Sequence, residues 1–200
     1  MRIITFSGVD GSGKSTQLER LRARLQAEEK RVHYFHAVSF SLVETLRSMF
    51  FGSRRAGLAK AETKSSSFRL WLRRCLLIVD LIRFRWHLNR LKKSPVDYLL
   101  SDRYFYDTLV NIAYLNKSSL QALYSRLIYQ LIPKPTIAFY LRVIPEQVMS
   151  RERAPEQGLV YLEEKTALFE SVVETWRLTP IDADQTIDDV TRQILTHTSV

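Results

Sequence analysis

Residues 8 to 16 read Gly8-Val9-Asp10-Gly11-Ser12-Gly13-Lys14-Ser15-Thr16: a glycine, four residues, then Gly-Lys-Ser. The chemistry open to such a run is the holding of phosphate. Main-chain N–H groups wrap a polyphosphate only where the chain can come close, and Gly8, Gly11 and Gly13 supply that freedom. Lys14 would then reach the β- and γ-phosphates of a nucleoside triphosphate and Ser15 would ligate Mg²⁺. The expected donor contacts are Gly8, Asp10, Gly11, Ser12, Gly13, Lys14, Ser15 and Thr16. The bland alternative is a Gly/Ser turn between core elements.

A second chemical stretch is Tyr98-Leu99-Leu100-Ser101, an apolar strand pattern, running into Asp102-Arg103-Tyr104. An acid at the end of such a strand holds Mg²⁺ through water or orients a nucleophile. Many hydrolysing ATPases place Glu next, to activate water. Arg103 stands there instead, which favours transfer to a bound acceptor. The third stretch is Arg151-Glu152-Arg153-Ala154-Pro155-Glu156-Gln157-Gly158. Two arginines in a segment broken by Pro and Gly suit a lid, at about 150–160, that brings cations onto a transferring phosphoryl group; the alternative is a surface turn.

These groups need elements to position them. Ile3-Ile4-Thr5-Phe6 reads as a buried strand before the glycine-rich run, and Thr16 to Glu29 as a helix after it, with its amino end adding positive dipole. Val32 to His36 is a second strand whose carboxyl end runs toward the site, making His36 and Ser39 acceptor-site candidates, against the alternative of an ordinary strand end. Residues 42 to 51 read as helical, and 52 to 67 as a basic loop. From Phe68 to Lys93 the spacing predicts a long helix, with Trp71 and Trp86 expected in helix contacts or the core. A polar stripe of Arg69, Arg73, Asp80, Arg83, His87 and Arg90 shares one face. That face suits exposed surface, a membrane surface or the wall of a phosphate cleft. Further helices are expected at 107–114, 119–131, 161–177 and 187–197, with strands at 136–141 and 180–183 and a short helix from Pro145. The order gives an α/β, doubly wound fold with a five-stranded parallel sheet.

With 200 residues and 46% hydrophobic content, one domain over 1–200 is expected. A single cysteine, Cys75, excludes an internal disulfide framework, and the four histidines have no metal-ligand spacing. No leader pattern is visible and no run approaches the ~20 apolar residues of a membrane span, so a cytoplasmic protein is expected. The net charge of +9 fits a nucleic-acid partner, an anionic membrane or a site for several phosphates. Composition alone does not choose among them.

Taken together, the order of these pieces resembles the thymidylate kinase family of nucleoside monophosphate kinases along most of the chain. The resemblance rests on Phe6 to Gln17, Ser101-Asp102-Arg103-Tyr104, Arg151 and Arg153, and Ile181-Asp182-Ala183-Asp184-Gln185. It implies a three-layer phosphate-loop kinase fold, ATP and Mg²⁺ as cofactors, and dTMP as acceptor. Asp10 would approach the acceptor sugar, and Arg103 would contact phosphate where donor and acceptor meet. With no arginine in the loop, Arg151 and Arg153 would supply the catalytic cations. Asp182 and Ala183 would border the adenine, Ser15 and Asp102 would organise Mg²⁺, and Arg83 and Tyr104 would join the acceptor site. A homodimer is implied, with no membrane or nucleic-acid partner. Thymidylate kinases usually carry Arg-Glu-Pro after the second strand to hold the acceptor phosphate; this chain reads His36-Ala37-Val38-Ser39-Phe40. After the Asp-Arg-Tyr triplet it reads Phe105-Tyr106-Asp107-Thr108-Leu109 in place of the usual Ser/Gln-containing segment. A different small acceptor therefore stays open. So do an ATPase or switch module that uses its basic surface, and a nucleotide-binding scaffold without turnover.

Overall fold

The structure, a computed structural model, describes residues 1 to 37, 67 to 120, 122 to 151 and 155 to 198. Five strands, β1 (Arg2–Ser7), β2 (Val32–Phe35), β3 (Tyr98–Asp102), β4 (Ile137–Arg142) and β5 (Thr179–Asp182), form one sheet in the order β2-β3-β1-β4-β5. Every pairing is parallel. β1 from Ile3 onward and all of β3 are buried, as required of strands covered on both faces. This is the expected α/β phosphate-loop kinase fold.

The described helices are α1 (Lys14–Ala27), α2 (Ser67–Leu91), α3 (Phe105–Leu115), α4 (Leu123–Leu131), α5 (Pro145–Met149), α6 (Gly158–Glu170) and α7 (Ile187–Thr198). Right-handed crossovers put the β1–β2 connection on one face and the later connections on the other. The packing agrees: α1 lies against α7, while α3 touches both α2 and α6. The order in which strands are added reverses between β1 and β3, so their carboxyl ends open a crevice at the switch point. Register places Phe6 opposite Asp102 there, two residues before the glycine-rich run begins at Gly8.

Several boundaries differ from expectation. Helix α4 starts at Leu123 rather than 119, because 116 to 120 turns first, with Lys117 at φ 46°. Helix α6 runs from 158 to 170, and 171 to 177 continues as turns. Those turns close where Arg177 takes φ 52° and the Leu178 N–H donates to the Val173 carbonyl at 2.8 Å, a helix-stop geometry. The expected helix at 42–51, the basic loop through residue 66, and Ser39 lie outside the described residues.

Helix α2 needs a correction. Leu77, Leu81, Phe84, Leu88 and Leu91 are buried as expected, but Trp86 is 69% exposed and Trp71 58%. A helix lying on one layer buries a single stripe. Ile78, Val79, Ile82 and Trp86 emerge on another side. No described helix is long and apolar enough to cross a membrane.

Candidate active site

Helix α1 begins without a side-chain cap and without an acid in its first turn; Gly13, at φ 91°, precedes it. Its first amides are therefore open to an anion, and the dipole favours one. The loop is not sealed by packing: Gly11, Ser15 and Thr16 are exposed. Gly11 has φ 84°, and a Cβ built there meets Val148 Cγ1 at 2.6 Å. Gly11→Ala is expected to destabilise the fold by about 1–3 kcal/mol through the left-handed backbone and this clash. Thermal melts of Gly11→Ala and of the double variant with Val148→Ala check it: the second change should recover part of the loss and leave the backbone share.

Lys14 is buried, and its ammonium donates to the Gly8 carbonyl at 3.0 Å, the Val9 carbonyl at 2.7 Å and Ser12 Oγ at 3.3 Å. Burial lowers its pKa, with Arg103 adding to the effect. Ser15 Oγ donates to Asp102 Oδ2 at 2.6 Å, which joins the loop to the end of β3. Among the described residues, Asp102 Oδ1 is buried with no hydrogen-bond partner. An orphaned carboxylate oxygen beside a serine hydroxyl fits Mg²⁺, which takes one or two protein oxygens and fills its octahedron with phosphate and water.

Immediately after β3, Arg103 adopts φ 61°, a conformation costly for a side-chain-bearing residue. The turn directs its guanidinium to Asp10 Oδ1, while Tyr161 donates to Asp10 Oδ2 at 2.8 Å. Burial alone would raise the Asp10 pKa. Arg103 first, then Lys165, Lys14 and the Tyr161 hydroxyl, bring it down to about 2. On the other flank of the loop, Arg151 Nη1 donates to the Gly11 carbonyl at 2.6 Å and Nη2 to the Ala183 carbonyl at 3.3 Å, with Asp184 at 3.8 Å. Arg151 thus ties the loop to the turn after β5, where exposed Asp182 accepts from the Asp184 N–H and from Gln185. Arg153 lies outside the described residues.

One expected acceptor residue is placed differently. Tyr104 is buried, its hydroxyl donates to the Pro133 carbonyl at 2.6 Å, and its ring packs on Phe84, so this side chain serves the core. Arg83 pairs with buried Asp80 one turn away at 2.9 Å, on α2 itself. The partly buried His36 has its pKa lowered by burial.

Three residues that sequence reasoning passed over are central. Asp107 accepts from Ser7 Oγ at 2.7 Å, the Gly8 N–H at 3.3 Å and the Tyr104 N–H at 3.1 Å, clamping the start of the loop to α3. Burial raises its pKa, against the pull of Lys14. Tyr161 and Lys165 sit one turn apart on α6, and Lys165 Nζ donates to the Tyr161 hydroxyl at 2.8 Å. Their spacing of four was the only available signal.

Burial pushes the Lys165 pKa down to about 8 from 10.5. Below that value both folded and unfolded chains hold the proton, and the cost of burying the charge is present in full. Between 8 and 10.5 the unfolded chain holds more protons, so stability rises with pH. The melting temperature of the wild-type chain relative to Lys165→Met should therefore climb as the pH rises across this window; a constant difference would contradict the burial.

No protein-family model matches the chain. Over 194 residues it is 26% identical to a protein named "Probable thymidylate kinase" from Methanosphaera stadtmanae (strain ATCC 43021 / DSM 3091 / JCM 11832 / MCB-3), covering 96% of this chain and 94% of that one. With the glycine-rich run, the aspartate at the end of β3 and the parallel sheet in this order, that likeness makes the chain a distant homologue of that protein, built on the phosphate-loop kinase fold.

Proposed function

We propose that the chain transfers the γ-phosphoryl group of Mg·ATP to a small phosphorylated acceptor, dTMP first among them. The observation that carries this reading is the convergence of Lys14, Arg103 and Arg151 on an open, uncapped loop whose Ser15 reaches Asp102. Catalysis of this kind is positioning and charge neutralisation. Lys14 would hold the β- and γ-oxygens, and Arg103 the phosphoryl oxygens on the acceptor side. Arg151 and Arg153 would close from a lid at about 150–160, and Asp182 and Ala183 would border the base of ATP. Ser15 and Asp102 would hold Mg²⁺, which when bound neutralises charge between the β- and γ-phosphates.

Asp10, with its pKa held near 2, is a poor proton acceptor. A hydroxyl acceptor needs a base, whereas a phosphate monoester is already ionised near neutrality. This favours a nucleoside monophosphate over a nucleoside. Asp10 then orients the acceptor and steadies Arg103. The replacement of Arg-Glu-Pro by His36-Ala37 favours, as a second reading, a monophosphate other than dTMP.

The whole chain would act as one domain, in the cytoplasm, without a membrane or nucleic-acid partner. Ile82 and Trp86 of α2 are exposed and would be available to the homodimer that the resemblance implies. A coupled ADP-release assay with Mg·ATP tests the activity against nucleoside monophosphates, nucleosides and sugar phosphates. Turnover with a monophosphate and none with nucleosides is expected. ADP release that no acceptor alters would overturn the reading.

A further inference from the structure

Among the described residues, two lysines sit with their ammonium groups near Asp10, and only one of them is satisfied there. Lys14 has three oxygen acceptors in its own loop. Lys165 makes one hydrogen bond, to the neutral hydroxyl of Tyr161, and no carboxylate lies within ion-pair distance of it among the described residues. Two aromatic rings stand beside it: Nζ lies 4.6 Å from the Tyr161 ring centre and 5.9 Å from that of Tyr114, the two rings meeting edge-on at 5.2 Å. Burial is the largest influence on its protonation. The nearby Asp10 carboxylate is already engaged by Arg103 and Tyr161. A cation withdrawn from water with one neutral partner is costly, and two N–H donors stay available.

Ligand charge resolves this imbalance. We propose that Lys165, backed by Tyr161 and Tyr114, is an anion subsite that pairs with the phosphate of the bound acceptor. The inference rests on the phosphotransfer reading and adds a residue and a ligand group to it. Lys165 and Arg103 stand on either side of the Tyr161–Asp10 hydrogen bond, so an acceptor phosphate entering there meets two cations. Tyr161 transmits any movement of Lys165 to Asp10, which couples anion binding to the position of Arg103. The subsite was invisible in the sequence because Lys165 reads as one more charge on a helix.

The test is calorimetric titration of the full chain, as wild type, Lys165→Met and Lys165→Arg, with Mg²⁺ and a non-hydrolysable ATP analogue filling the donor loop. The probes are inorganic phosphate, dTMP and thymidine. Lys165→Met is expected to weaken phosphate and dTMP binding by about 30-fold or more, the low end of the effect of removing one partner from a buried charge pair. Thymidine and the ATP analogue should bind as before, and Lys165→Arg should restore much of the loss. Equal phosphate and dTMP affinities in wild type and Lys165→Met overturn the subsite and leave the kinase reading standing. Equal weakening of thymidine assigns Lys165 a structural role and likewise overturns it. Lys165-dependent binding of phosphate without binding of dTMP keeps the subsite and removes dTMP as acceptor. Absence of phosphate and dTMP binding in the wild type overturns the subsite, while the kinase reading is overturned separately by ADP release that no acceptor alters.

Discussion

Lys14→Met is expected to lower kcat by at least about 10³-fold, the scale set by removing a preorganised donor or cation from a developing phosphoryl charge. The fold should survive. Lys14 is 5% exposed, and its stem occupies a slot that the methionine side chain also fills. The change leaves the Gly8 and Val9 carbonyls without their donor, at roughly 1–3 kcal/mol, and removes the penalty of a buried charge, so the two effects oppose each other. Steady-state kinetics beside a thermal melt separates them. Turnover near wild type in a folded variant would remove the central assignment. Lys14→Arg should not rescue, because the planar guanidinium is too large for a slot shaped around three close oxygens.

Arg103→Ala should have the second-largest effect, on two separable scales. The first is structural. The Arg103 and Asp10 side chains are 34% and 23% exposed, and losing one partner should cost about 1–3 kcal/mol, below the range for fully buried pairs. Among the described residues Asp10 would keep only Tyr161 as a hydrogen-bond donor, and its pKa should rise from about 2. The second is chemical: a loss in kcat of about 10²–10⁴-fold, approaching that seen for arginines that contact a transferring phosphoryl group. A double-mutant cycle with Asp10→Asn divides them. The second change should recover part of the melting temperature, since it removes the orphaned charge, and should leave kcat low. Recovery of turnover together with stability would show that Arg103 acts only by holding the loop.

The two chemical stretches were legible because their signals are local. A glycine-rich run between a buried strand and a helix needs no distant partner to define its backbone, and a β3 pattern ending in Asp102-Arg103 carries its own direction. Contacts that pair residues far apart in the chain left no such trace. Tyr161 and Asp10 are 151 positions apart, and Ser7 and Asp107 are 100 apart. Tyr104 shows the limit from the other side: its place after Asp-Arg suggested a ligand contact, and the turn at Arg103 instead sends the ring into the core against Phe84 and Phe105. On α2 the periodicity named the buried leucines, but the apolar content of a 25-residue helix exceeds what one stripe can bury, so Trp86 fell on the open side.

By itself the chain order of residues determined an anion cradle, a parallel sheet and the acid and base types delivered to its carboxyl edge, since propensity, glycine backbone freedom and strand periodicity act over a few neighbours. Only the folded chain decided which charges meet: Asp10 between Arg103 and Tyr161, Ser15 against Asp102, Arg151 across the loop to Ala183, and Lys165 with one neutral partner. Electrostatic energy depends on distance and burial in three dimensions, and neither quantity is written in the spacing of a sequence.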